Sequence, residues 1–220
     1  KMGPALAAGN TIVLKSSEHA SAAMLEFGKL IADAGIPDGV VNIITGHGDP
    51  CGSALTSHPL VDRISFTGGP TAARHVLQNS TNNFAQVSLE LGGKSPFIVF
   101  DDANIESAVN ASIAGIFGAT GQSCVAGSRL LVHRSIHGEL VDMLTNGMNE
   151  IKLGDPLDEA VNFGPMVSDK QRQIVLGYIN KGVAEGARLV TGGKLVERDG
   201  FYIEPTVFAD VTDDMTIARE

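Results

Sequence analysis

A cysteine and a glutamate stand where reactive groups are useful rather than where packing wants them. Cys124 lies in the stretch GQSCVAGS, between a glycine-rich turn and the apolar run RLLVH that reads as the next strand. A structural cysteine behaves as a small hydrophobe and belongs inside an apolar run; one in a glycine-flanked turn is open to reagents. The attacking species is the thiolate, which backbone N–H groups or nearby positive charge favour, and the N–H groups of such a turn can also stabilise an oxyanion on an attacked carbonyl. Glu90, in LELGGK, stands just before the double glycine Gly92-Gly93. A carboxylate there, partly buried, can act as a general base for water. Spacing alone does not bring the two together.

Three strand ends offer places for a phosphorylated or ribosyl ligand. In FTGGPTAAR a strand closes at Phe66, Gly68 and Gly69 follow, and Pro70 stands in the first turn of a helix, where its missing N–H costs nothing. The free N–H groups and dipole of such a helix start favour an anion such as a pyrophosphate, although any α/β crossover can look alike. GHGDPCG sets Gly46, Gly48 and Gly52 after a strand, close to a dinucleotide fingerprint but with the third glycine one place late. It serves equally as a tight turn. VLKSSE puts Lys15 and Glu18 at the carboxyl end of the first strand, where open parallel sheets bind ligands. The carboxylate can accept hydrogen bonds from both hydroxyls of a ribose, or both residues can simply be solvated.

Competing chemistries are poorly supported. His133 and His137 have the spacing of a helical metal pair, but His133 closes an expected strand and no acidic residue lies between them. No G-x-S-x-G elbow or P-loop is present. The histidines carry no signature of a papain-like thiol hydrolase.

The elements that must position these residues alternate between short β-branched runs and helical stretches. TIVLK (11–15) reads as a strand, followed by a helix from about Glu18 that Gly35 and Pro37 stop. VVNIIT (40–45), a short helix near Ser53, RISFTG (63–68) and a helix from about Pro70 continue the rhythm. After QVSLELGGK come FIVF (97–100), a helix over 105–117, the cysteine turn, RLLVH, helices over 136–151 and 170–185, ARLVTGG and the strand-like FYIEPTVF. Such alternation implies an α/β fold on a parallel sheet with right-handed crossovers. Gly92-Gly93 marks the expected domain crossing, dividing 1–91 from 92–220.

Composition narrows the function classes. With 43% hydrophobic residues among 220, the chain can bury a core. Its apolar runs fall short of the roughly 18 residues of a membrane span, and no basic segment followed by an apolar one opens it. A formal charge of -9, without a basic stripe, argues against nucleic acid as a partner. Two cysteines in dissimilar contexts form neither a disulfide framework nor a metal pair, which favours a reducing compartment such as the cytoplasm. The opening KMGPALAAGN and the closing MTIARE lack capping or tail signals, as expected of a fragment.

PALAAGNTIVLKSSE, FTGG, LELGGKSP, GQSCVAGSR and PTVF occur in this order, and with them the chain resembles the aldehyde dehydrogenase superfamily over essentially its whole length. The resemblance implies oxidation of an aldehyde to a carboxylic acid with NAD, NADP being possible. It implies a Rossmann-like parallel sheet, the C-terminal half of a dinucleotide-binding domain, over 1–91, and an α/β catalytic domain, incomplete at its C-terminus, over 92–220. Cys124 then matches the nucleophile and Glu90 the general base. Lys15 and Glu18 match the adenosine ribose site, Gly48 lies near the adenine pocket, and Phe66, Thr67, Gly68 and Gly69 form the pyrophosphate-binding turn, with Leu91 completing the cofactor-binding set. Many relatives have serine where this chain has Gly69, so one phosphate hydrogen bond is lost.

The implied reaction runs through a thiohemiacetal on Cys124, its oxyanion held by the Cys124 N–H and, in the family, by an asparagine side chain. Hydride leaves for the nicotinamide and Glu90 activates water to hydrolyse the thioester. That asparagine normally lies upstream of the first residue here, and the glutamate of an E-I-F-G-P segment that holds the nicotinamide ribose would follow Glu220. The resemblance therefore implies an internal fragment with little or no dehydrogenase activity alone, from a parent that is a homodimer or homotetramer. Small uncharged residues around the nucleophile, Gly118, Ala119, Thr120, Ser123 and Val125, fit a neutral or aromatic aldehyde. Glu18 would repel a 2′-phosphate, which favours NAD. A thiol acyl-transfer enzyme and a non-catalytic dinucleotide-binding scaffold stand as alternatives. Glu90 argues against the CoA-acylating relatives, which generally lack this base, and Cys124 against the scaffold.

Overall fold

Apolar runs of four to six residues suit a strand and are too short for a helix, and in the first part of the chain each is followed by a turn and a helical segment. The computed structural model describes all residues, Lys1–Glu220, as two compact units, Lys1–Leu91 and Gly92–Glu220. The first contains α1 (Met2–Ala7), β1 (Ile12–Lys15), α2 (Ser21–Asp33), β2 (Val41–Ile44), α3 (Ser53–Thr56), β3 (Arg63–Gly68), α4 (Pro70–Ser80) and β4 (Gln86–Leu91). Strand β1 pairs with β2, and β3 with β4, both in parallel. Ile64 of β3, Val76 of α4 and Ala85 form the buried cluster, with Val61, Phe66 and Val87 packed against it. The connection from α4 to β4 is pinned by Asn83, whose Nδ2 donates to the carbonyls of Thr56 (3.2 Å) and His58 (2.9 Å) while its Oδ1 accepts the N–H of Ala85 at 3.1 Å.

Helix α2 starts at Ser21, later than the sequence suggests. Serines compete with helical hydrogen bonds through their own hydroxyls. Here Ser21 Oγ donates to Ser17 O (2.9 Å) and lies 3.0 Å from the hydroxyl of the buried Ser16, while the N–H of Ala20 donates to Ser17 O. Residues 16–20 thus form a turn of their own, and Glu18 stands on it rather than on the helix.

The second unit contains β5 (Pro96–Val99), α5 (Ile105–Phe117), β6 (Arg129–Val132), α6 (His137–Met148), α7 (Asp169–Ala184), β7 (Arg188–Thr191), β8 (Val207–Ala209) and α8 (Thr216–Arg219). Asn104 caps α5 by accepting the N–H of Ser107, and Ser168 caps α7 by accepting that of Gln171. Strands β5 and β6 pair in parallel, and Val99 of β5, Ala108 and Val109 of α5, and Leu140 and Leu144 of α6 close one core. Met166, Ile179 and Ile203 close another.

Strands β7 and β8 are antiparallel, against the parallel pattern expected from the alternation. Gly192 and Gly193, at φ +78° and +92°, turn the chain out of β7 in a region closed to most residues. A Cβ on Gly192 would lie 2.1 Å from the carbonyl oxygen of Pro205. The run FYIEPTVF becomes a strand only from Val207, since Pro205 has no N–H to give a ladder. No helix is long and apolar enough to cross a membrane.

Leu140, fully buried, should lose about 2 to 5 kcal/mol of stability on truncation to alanine, the cost of lost transfer energy plus a cavity. Both tyrosines, Tyr178 and Tyr202, belong to the second unit, so tyrosine fluorescence during urea unfolding reads that unit directly. A loss under about 1 kcal/mol would mean that this core collapses around the cavity.

Candidate active site

The cysteine turn begins where α5 ends. Thr120 and Gly121 follow at φ +53° and +72°, two successive left-handed residues that reverse the chain. The N–H of Thr120 donates to Phe117 O, that of Gln122 to Ala119 O, and that of Ala126 to Ser123 O. Ala126 is buried, and a Cβ on Gly127 would come within 3.1 Å of the Phe97 side chain, so the chain leaves the turn pressed against β5. Between these anchors Cys124 is exposed, unbridged, and makes no hydrogen bond through its own N–H. One residue therefore presents both a thiol able to attack a carbonyl and a donor able to hold the oxyanion that results.

Gln122 is a residue that the sequence did not single out. Its Oε1 accepts the N–H of Val167 at 3.1 Å, and its Nε2 donates to Thr120 Oγ1. Lys94 likewise carries no signal in the sequence: its Nζ donates to Ile217 O at 2.9 Å, tying the start of the second unit to α8, and burial, then the charge of Arg129, pushes its amine below the ordinary lysine range. Both partners are far away in sequence and leave no local pattern to read.

In the first unit, parallel pairing brings two of the candidate groups to shared strand ends. Along β3 and β4, Thr67 is opposite Glu90 and Gly68 opposite Leu91. Thr67, Glu90 and Leu91 are exposed, so the partial burial expected of the Glu90 carboxylate is not found in this unit, where the last residues of β4 face water. The ring of Phe66 turns inward onto the Ile64 cluster, covering Gly68 so closely that a Cβ there would meet it at 2.5 Å. Directly after Gly68, Gly69 caps α4 in an extended conformation with Pro70 in the first turn. A Cβ on Gly69 would meet nothing within 4 Å. The helix start is open, and its unpaired N–H groups can take an anion.

At the other pair of strand ends, Lys15 Nζ donates to Ser16 O (2.7 Å) and Gly46 O (2.8 Å), binding the end of β1 to the loop after β2. Glu18 Oε2 is 3.9 Å from Lys15 Nζ, and Glu18 Oε1 is 3.9 Å from Nδ1 of the exposed His47. A backbone hydrogen bond, helped by the charge of Lys15, holds the Glu18 carboxyl below the usual carboxylate range. Gly46 is pressed against Cys51, whereas Gly48 is exposed with open space where a Cβ would stand. Glu90 and these residues belong to the first unit and Cys124 to the second. His133, the first of the possible metal pair, spends its Nδ1 on the Ser135 hydroxyl at 2.8 Å.

Comparison with known proteins adds an independent finding. The model of the aldehyde dehydrogenase family matches residues 1–220. A (Z)-2-((N-methylformamido)methylene)-5-hydroxybutyrolactone dehydrogenase of Acinetobacter baylyi is 53% identical over 222 residues, covering 100% of this chain and 46% of that protein. A betaine aldehyde dehydrogenase of Brucella ovis is 47% identical over 224 residues, again with 100% and 46% coverage. The structure of an aldehyde dehydrogenase from Bacillus cereus in its NAD+ complex superposes with a TM-score of 0.95 at 44% identity, covering 100% of this chain and 45% of that one. The chain thus spans about half the length of the curated relatives it matches. With a family match that runs from the first residue to the last and a backbone that superposes this closely, the chain belongs to the aldehyde dehydrogenase family.

Proposed function

We propose that this chain supplies the nucleophile, the water-activating base and much of the dinucleotide-binding surface of an NAD-dependent aldehyde dehydrogenase. The observation that carries the proposal is the state of Cys124: exposed, on a turn reversed by two left-handed residues, with its own N–H unpaired.

A dinucleotide fits the residues present. The open N-terminus of α4 suits a pyrophosphate, Glu18 and Lys15 suit a ribose, and Gly48 and Gly69 leave room where a side chain would intrude. When bound, NAD supplies the hydride acceptor that carries two electrons away from the aldehyde carbon. Cys124 Sγ, as thiolate, forms a bond to that carbon, and the Cys124 N–H donates to the oxygen as it becomes an oxyanion. Once the carbon has reached the acid level, the acyl group remains on Sγ as a thioester. Glu90 takes a proton from water, the water oxygen bonds to the acyl carbon, and the C–S bond breaks to return the thiolate and release a carboxylic acid. The exposed Val125 beside the nucleophile carries no charge, which supports a neutral or aromatic aldehyde. An exposed free thiol supports a reducing compartment such as the cytoplasm.

In the native protein, Cys124→Ser should lower aldehyde-dependent NADH production on the order of a thousandfold or more. Turnover near the wild-type rate in that variant would sink the proposal. Glu90→Gln should leave the first turnover intact and slow later ones by about 10²- to 10⁴-fold, giving a burst of NADH followed by a slow steady phase. A steady rate equal to wild type would remove Glu90 from the base role.

Lys15→Met removes one of the charges that keep Glu18 ionised, so the Glu18 titration midpoint, followed by NMR, should rise. Because the folded value is depressed, the stability that Glu18 contributes is present above its unfolded value of about 4.3 and is lost as pH falls through the lower folded value. The titration midpoint is the readout, because Lys15→Met also removes the hydrogen bonds to Ser16 O and Gly46 O and lowers stability at every pH; an unmoved midpoint would show that the backbone hydrogen bond alone sets it.

A further inference from the structure

The cysteine turn is held by side chains that the proposed reaction does not itself consume. Thr120 is β-branched and sits at φ +53°, a conformation such residues adopt only when their surroundings over-determine it. Gln122 provides that determination. Its Nε2 donates to Thr120 Oγ1, which in turn donates to Ala119 O at 2.7 Å. Its Oε1 accepts the N–H of Val167, and since a backbone N–H can only donate, this contact also fixes which way the amide faces.

Val167 is a firm mooring. The residue before it, Met166, is 4% exposed within the cluster of Ile179 and Ile203, and its N–H donates to Phe201 O at 2.9 Å. Through Gln122 the turn is therefore anchored at a point 45 residues further along the chain as well as at α5 and β6. Val125 and Cys124, just beyond Gln122, are exposed and have no such anchor of their own.

We infer that Gln122 is a positioning residue: by tying Thr120 to the Val167 N–H, it holds the turn in the shape that presents the Cys124 thiol and its unpaired N–H together. The inference rests on the reading of Cys124 as the nucleophile. It concerns the geometry of the turn, since Gln122 forms no bond to a reacting atom.

Two substitutions separate positioning from simple bulk. Gln122→Met keeps the length of the side chain and loses both hydrogen bonds. Gln122→Glu keeps an acceptor for the Val167 N–H and can accept from Thr120 Oγ1 where the amide donated, once that hydroxyl turns from Ala119 O. The measurements are kcat and KM for aldehyde-dependent NADH production by the native protein, with tyrosine fluorescence reporting the fold of the second unit, which holds both tyrosines. Gln122→Met should lower kcat by about 10- to 100-fold, the scale on which a misplacement of roughly 1 Å acts, with KM and the fluorescence signal unchanged. Gln122→Glu should recover part of the loss. A wild-type kcat in Gln122→Met overturns the inference, as does a loss carried wholly by KM. Wild-type activity in Cys124→Ser would overturn the nucleophile reading itself, and this inference with it.

Discussion

Parallel strand pairing is the constraint from which the first unit's candidate site follows. Two strands running the same way deliver their carboxyl ends to the same edge, and the turns that leave those ends need not occupy a ladder. Lys15 can reach Gly46 because β1 and β2 end side by side, and Glu90 stands opposite Thr67 because β3 and β4 do. An antiparallel arrangement of the same strands would send Glu90 and Thr67 to opposite ends. The helix start at Gly69-Pro70 is then a by-product of the crossover that parallel pairing demands.

The second unit solves a different problem, which is how to keep a backbone donor free. A buried N–H without a partner costs about 1 to 3 kcal/mol, so a folded chain pairs nearly all of them. On an exposed turn water carries that load, and the donor stays available to an incoming oxygen. Cys124 meets this condition because the left-handed pair Thr120-Gly121 swings the chain outward before Ala126 brings it back to the core. The unusual backbone and the free donor are thus two sides of one arrangement.

Much of this was legible in the sequence, and the parts that were not share a cause. Local signals carried the helix Ile105–Phe117 and the strand Arg63–Gly68, closed by its glycines. The resemblance in five ordered motifs is met by the family match over 1–220. The late start of α2 escaped because serine hydroxyls competing for backbone groups look, in sequence, like helix N-terminal residues. The antiparallel turn of β7 and β8 depends on Gly192 meeting Pro205, and the mooring of the cysteine turn on Gln122 meeting Val167. Contacts between residues so far apart have no period or spacing to reveal them. They exist only once the packing does.

The register of β3 against β4 has a consequence for how such a chain can change over time. Because side chains alternate between faces, sliding β4 by one residue would carry Glu90 to the face that Leu89 now occupies and put a leucine at the water-facing position. A single inserted or deleted residue in the short connection that Asn83 pins must either break the Asn83 bonds or press toward that slide, whereas replacing an exposed residue there does neither. Divergence across this part of the molecule therefore proceeds more readily by substitution than by changes of length.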